Sequence, residues 1–185
     1  VIASLHEETL HLNKLVDDLH TLSLSDAGAL NYQMQGLNIH SLLQQVVNDF
    51  STRAAEQHIR IAYTGTTDIM VWGDSTRLQQ LFYNLIENSL RYTDAPGQIE
   101  ICCDVKDHMM TVLLEDTPPA PPPQDLECLF ERFYRPETSR NRQTGGSGLG
   151  LAICSNIVEA HQGSIKAFLA SSGGLGVSIT LPRNS

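Results

Sequence analysis

One stretch, Thr76–Thr93, reading TRLQQLFYNLIENSLRYT, constrains this chain more than any other. Leu78, Leu81, Phe82, Leu85 and Ser89 recur at helical spacing and make an apolar-to-small stripe along one face. Asn84, Asn88 and Arg91 stand on the flank of that stripe, each one turn from the next. Asp74 precedes the stretch and can cap the helix, its side chain accepting an orphan backbone N–H. Two amides and a guanidinium in a row beside a buried face suit a polyanion. Neutral amide oxygens complete a Mg²⁺ shell that keeps several waters and bridges substrate phosphates, and Arg neutralises phosphate charge. Taken alone, the same row also fits an ordinary solvated flank.

A second element far downstream shifts the balance. Gly145–Leu151 reads GGSGLGL and runs into Ala152–Val158, another apolar-periodic helix. Glycines directly before a helix free several backbone N–H groups to approach phosphate, and a helix N-terminus favours negative charge. The two elements together indicate a phosphate-binding site.

Composition sets the outer bounds. With 185 residues and 41% hydrophobic content, the chain can bury one core and carry an appendage. Twelve basic residues against 21 acidic ones give −9, which argues against nucleic acid or an anionic membrane as the main partner. Nucleotide binding would then rest on local N–H groups, Arg and Mg²⁺. Cys102, Cys103, Cys128 and Cys154 show neither zinc spacing nor a secreted disulfide pattern, and read as core thiols in a reducing compartment. There is no signal peptide and no run of ~18 apolar residues. The chain opens on Val1 in mid-helix, as a fragment of something longer would.

Residues 1–25 read as a helix with an a/d seam of Leu5, Thr9, Leu12, Val16, Leu19 and Ser23, widened by Leu15 and Leu22. Such a seam needs a partner helix. The segment 27–36 has two glycines and mixed polarity and reads as a linker. Asn38 caps a helix to about Gln57, with Leu42, Leu43, Val46, Val47, Phe50 and Ala54 inward. Ile59–Tyr63 and Ile69–Trp72 are β-branched runs, either a hairpin or two successive strands. Ile99–Val105 and Thr111–Glu115 form a strand pair that puts Cys102 and Cys103 on opposite faces. Gln124–Phe133 reads as a short amphipathic helix with Phe130 and Phe133 as packing residues, and the polar segment 136–146 as a mobile lid. The last helix ends at His161-Gln162-Gly163, with Gly163 as its C-cap. Ser164–Leu169 and Val177–Leu181 are the final strands. Antiparallel pairs without regular βα alternation favour an α+β, two-layer α/β sandwich: a mixed, mostly antiparallel sheet with three long helices on one face.

Three motifs carry a family resemblance over essentially the whole chain. NLIENSLRYT resembles the N box of sensor histidine kinases, Leu129–Arg135 resembles their F box, and GGSGLGLAI resembles their second glycine box, in matching order and spacing. The gyrase, Hsp90 and MutL ATPases share the ATP pocket but not this F box. The resemblance implies an ATP-binding catalytic domain over 37–185, preceded at 1–26 by the second helix of a dimerisation hairpin. It further implies transfer of the ATP γ-phosphoryl to a histidine, then to a response regulator, in a homodimeric protein. The chain would be the cytoplasmic portion of an inner-membrane sensor. The first hairpin helix, which would bear the phosphoacceptor, is absent. His6-Glu7 matches only the first two positions of the acceptor motif, so this fragment is not expected to phosphorylate itself.

The resemblance also assigns roles. Asp116 reads adenine, the alternative being a strand-end cap, Tyr92 packs on base or ribose, and Asn88 with Asn84 holds Mg²⁺. Arg91 and Arg135 contact phosphates, with Arg132 a weaker alternative. Gly146, Gly148, Leu149 and Gly150 supply lid N–H groups. Glu87 assists the acceptor histidine or is a solvated helix acid, and Thr180 is either a hydroxyl near Asp116 or an ordinary strand residue. One departure stands out. The family's Asp-x-Gly-x-Gly box reads Asp116-Thr117-Pro118-Pro119-Ala120 here, followed by Pro121-Pro122-Pro123. Prolines donate no N–H and hold extended geometry, so this loop is either a preformed wall or a constriction. Two rivals follow: an interaction module that binds nucleotide poorly, and an ATPase of the gyrase or MutL kind. The latter uses a Glu where Asn84 stands, and an amide is a poor general base.

Overall fold

The computed structural model of the chain describes residues 2–136 and 147–183. Helix α1 (Ile2–Asp26) leads into a short strand β1 (Gln35–Asn38) and helix α2 (Ile39–Glu56). Strands β2 (Ile59–Gly65) and β3 (Met70–Gly73) precede helix α3 (Ser75–Tyr92). The long hairpin β4 (Gly97–Lys106) and β5 (Met109–Asp116) follows, then two 3₁₀ turns, helix α4 (Gly150–Ala160), β6 (Ser164–Leu169) and β7 (Leu175–Pro182).

The main sheet has the order β2-β4-β5-β7-β6. Its β2–β4 pair is parallel and the rest are antiparallel. Ile99, Ile101 and Cys103 of β4 are buried while the alternating Glu100, Cys102 and Asp104 are exposed, so one face packs and the other meets water. The buried face meets Leu43, Val46 and Phe50 of α2, Leu78, Phe82 and Leu85 of α3, and Ile153, Ile157 and Val158 of α4 in one core. This is the expected two-layer sandwich, with Cys102 and Cys103 on opposite faces.

Helices α2 and α3 start as their caps dictate. The Asn38 side chain accepts the Ser41 N–H at 3.1 Å, and Asp74 accepts that of Arg77 at 3.0 Å. In α1, Leu22 is buried in the core and Leu15 packs against it, while Leu12, Val16 and Leu19 stay exposed. The widening residues therefore face the sandwich, and Leu12, Val16 and Leu19 of the seam are left uncovered. The side chain of His6 lies outside the described residues.

Several local expectations are corrected. Of the two readings for β2 and β3, two successive strands holds and the hairpin does not: β2 joins the main sheet beside β4, and β3 pairs with β1. β1 begins inside the expected linker; its sequence QGLN holds no β-branched or aromatic residue to announce it. The segment expected as one helix at 124–133 is two 3₁₀ turns, Pro123–Asp125 and Glu127–Phe130. Phe130 packs against the core, but Phe133 is 61% exposed. At the end of α4, the left-handed residue is Gln162, with φ 58°. Gly163 is needed for space instead, because a Cβ there would overlap the Thr180 carbonyl and the Leu181 side chain.

Candidate nucleotide site

A cavity of ≈ 610 Å³ opens along the flank of α3, within the usual range for small-molecule sites. Asn84, Glu87, Asn88, Arg91 and Tyr92 line it from α3, and Asp116 from the end of β5. Tyr134, Arg135 and Pro136 line it from the segment after the 3₁₀ turns, and Ser147, Gly148, Gly150 and Leu151 from the start of α4. One helix flank, one strand end and one helix N-terminus thus converge, as the separate motifs require.

Asp116 is 4% exposed. Its Oδ2 accepts the Ser89 hydroxyl and its Oδ1 the Leu175 N–H, each at 2.7 Å. Burial pushes its carboxyl up to about 6, against the lowering effect of these two hydrogen bonds. Ser172 donates to the Asp116 carbonyl at 2.7 Å. Gly174 presses so closely that any Cβ would overlap Asp116 itself. These contacts hold the carboxyl group in one orientation at the cavity wall. Ser89 completes the α3 stripe because a small hydroxyl both packs and donates there.

The proline segment proves to be a wall. Pro119, Ala120, Pro121, Pro122 and Pro123 all line the cavity without filling it. Its root is tied down by Asp94 N–H to the Pro118 carbonyl at 3.0 Å and Thr117 N–H to the Gln98 carbonyl at 3.0 Å. A wall of prolines offers apolar surface to a ligand and almost no donors.

Glu87 sits where charges gather. Its carboxylate meets Lys14 Nζ at 2.5 Å, Arg53 at 3.8 Å and Arg91 at 3.9 Å. Burial raises its pKa, but the Lys14 hydrogen bond and the Lys14, Arg91 and Arg53 charges outweigh it, so the net direction is down. Glu87 is therefore ionised at neutral pH. Asn84 donates through Nδ2 to the Gly150 carbonyl at 3.4 Å, which ties α3 to the first residue of α4.

The glycine-rich entry to α4 has a distinct reason for each residue. Gly148 has φ +70°, and a Cβ would meet the Phe133 backbone at 2.9 Å, where Phe133 N–H donates to the Gly148 carbonyl at 2.9 Å. Phe133 is thus held by its backbone rather than its ring. Leu149 is fully buried in the core, and its N–H bonds the Ser147 hydroxyl at 3.2 Å. Gly146 and most of the expected lid, 137–146, lie outside the described residues.

Two expected residues do not come to the site. Thr180 pairs with Thr111, five residues along β5 from Asp116, or roughly 16 Å at strand spacing. It is a strand residue, and the hydroxyl beside Asp116 belongs to Ser89. Arg132 forks onto the Asp26 carboxylate with both terminal nitrogens, which commits it to the end of α1 rather than to phosphate.

Other residues the motifs did not announce do reach the site. Lys14, Leu15 and Asp18 line the cavity from α1, and only the fold could bring them there. Ser89 was legible as the lone polar residue in a buried stripe. Gly174 lies between the last two strands, and only its contact with Asp116 shows its role.

Comparison with known proteins agrees with this geometry. Residues 73–185 match the family model described as histidine kinase-, DNA gyrase B-, and HSP90-like ATPase. The signal transduction histidine-protein kinase BaeS of Escherichia coli K12 is 48% identical over 98% of this chain and 39% of its own length. The chain thus spans about two-fifths of that relative. The histidine kinase AdeS of Acinetobacter baumannii superposes with TM-score 0.83 at 26% identity, over 100% of this chain and 84% of that one. Full-length ShkA, solved in complex with AMPPNP, gives 0.86 at 27% identity, over 100% of this chain and 38% of that one. The chain belongs to the histidine kinase-, DNA gyrase B- and HSP90-like ATPase family, and within it to the catalytic domains of sensor histidine kinases.

Proposed function

We propose that the cavity binds ATP with Mg²⁺ and that the domain donates the γ-phosphoryl to a histidine outside this chain, for relay to a response regulator. The observation that carries the reading is the convergence of Asp116, the Asn84–Asn88–Arg91 flank and the Gly148–Gly150 entry on one cavity. Asp116 offers a fixed acceptor for the adenine amino group. Tyr92 and the proline wall supply apolar surface for base or ribose. Arg91 and Arg135 face the phosphates, with N–H groups at the start of α4.

Two neutral amides one turn apart fit a magnesium ion that takes its remaining ligands from phosphates and water. Asn84 and Asn88 would hold it, and it would spread charge across the phosphates. An ionised Glu87 is able to accept the N–H of an incoming imidazole. Phosphoryl transfer asks mainly for positioning and charge neutralisation, which these residues supply. No strong base stands where a water-activating Glu would be needed.

The rest of the reading extends beyond the chain. The uncovered stripe of Leu12, Val16 and Leu19 suits a first hairpin helix and a homodimer built on it. No helix among the described residues is long and apolar enough to cross a membrane, which accords with the cytoplasmic portion of an inner-membrane sensor.

Calorimetric titration with a non-hydrolysable ATP analogue, with and without Mg²⁺, tests the core claim. Binding should be magnesium-assisted and should weaken by about tenfold or more in Asp116→Asn. No binding in the parent chain would sink the ATP reading in favour of an interaction module. Steady ATP hydrolysis by the chain alone would point to an ATPase instead.

A further inference from the structure

Helix α1 adds a cation to the cavity that no nucleotide-binding motif contains. Lys14 lines the wall and lies 2.5 Å from Glu87 on α3. Glu87 falls between Asn84 and Asn88 on that helix, whereas Ser89, which holds Asp116, is turned about 200° away from Glu87 around the helix. Lys14 therefore stands beside the face of α3 where the amides and Arg91 gather. The C-terminal turns of the same helix are anchored to the sandwich by Leu22 in the core, by the Arg132–Asp26 fork, and by Asn156 donating to Ser25 at 3.3 Å.

We propose that Lys14 is a phosphate-binding residue of the nucleotide site and that it favours a nucleoside triphosphate over a diphosphate. The inference rests on the ATP reading of the cavity and deepens it. An ammonium has three donors. Glu87 takes one, which leaves two for phosphate oxygens. The side chain is 48% exposed, and its flexible stem can follow a terminal phosphate without breaking packing. Glu87 holds the stem over the cavity, so little ordering remains to be done when the anion arrives. In a chain of net charge −9, a local cation beside this face has a large share of the work of offsetting a third phosphate. The consequence is that triphosphate recognition depends on α1 lying against the sandwich.

The test is titration of the chain, Lys14→Met and Lys14→Arg with AMPPNP and with ADP, each with Mg²⁺. Lys14→Met should weaken AMPPNP by about tenfold and ADP by less than about twofold, with Lys14→Arg close to the parent. Equal weakening for both nucleotides, or no change, would overturn the proposal. Tighter binding by Lys14→Met would also overturn it, showing that α1 obstructs the cavity rather than building it. A parent chain that binds neither nucleotide would remove the ATP reading and this inference together. A parent that binds both, with an unchanged preference in Lys14→Met, would remove this inference alone. Circular dichroism and a melting curve on each variant establish that the comparison is between folded proteins.

Discussion

The two ends of the cavity are built on different physics. At the Asp116 end, a buried carboxyl is held by Ser89, by the Leu175 N–H and by the close approach of Gly174. At the Glu87 end, a carboxylate with a quarter of its side chain exposed is shared among Lys14, Arg53 and Arg91. Burial strengthens hydrogen bonds and makes each unpaired group costly, so the first end tolerates one arrangement. Water and salt weaken exposed ion pairs, so partners at the second end can exchange at small cost. One end is suited to recognising a base that does not change during reaction. The other is suited to phosphates that arrive, transfer and leave.

The largest expected effect comes from breaking the packed end. Gly174→Ala places a methyl group against the Asp116 backbone and should lower stability by about 3 kcal/mol, read by urea denaturation. A change below about 1 kcal/mol would show that the turn has room to yield.

An intermediate effect follows from the protonation of Asp116. Its folded pKa of about 6 lies above the ordinary 3.8, so the folded state binds the extra proton between those values. Its contribution to stability is full below about 4 and is lost as pH rises through about 6. On the role proposed for Asp116, nucleotide affinity should run the other way, because there the ionised carboxylate is the acceptor. Affinity should rise with pH up to about 6 and then level off. In Asp116→Asn that dependence should flatten, and a slope that survives the substitution would assign the titration elsewhere.

The smallest effect is expected at the charged end. Glu87→Gln should change stability by less than about 1 kcal/mol, and the difference should shrink further in high salt. A loss of several kcal/mol would mean that this end is as rigid as the other and would erase the contrast.

How much of the molecule was legible beforehand follows the same division. The stripe of α3, the caps Asn38 and Asp74 and the alternation of β4 are local patterns, and the helices and strands they imply are present. β1 was hidden because four residues without β preference become a strand only when β3 lies beside them. Phe133 misled because an aromatic residue at helical spacing suggests burial. Its position is set instead by a backbone contact with Gly148, 15 residues away in sequence. Thr180 shared a strand with the site's neighbourhood, but the register put it at the far end of β5.

By itself the sequence determined the two-layer α+β class, the presence of an Asn flank and of a glycine-rich helix start, and the Asp–proline departure at 116–123. These are matters of periodicity, capping and residue chemistry, which act over a few residues. Only the tertiary structure decided that the prolines form a wall, that Ser89 and Gly174 orient Asp116, and that α1 carries Lys14 to the cavity. Those outcomes depend on contacts between segments 27 to 73 residues apart. Which groups meet across such distances is set by how the core packs, and no local pattern encodes it.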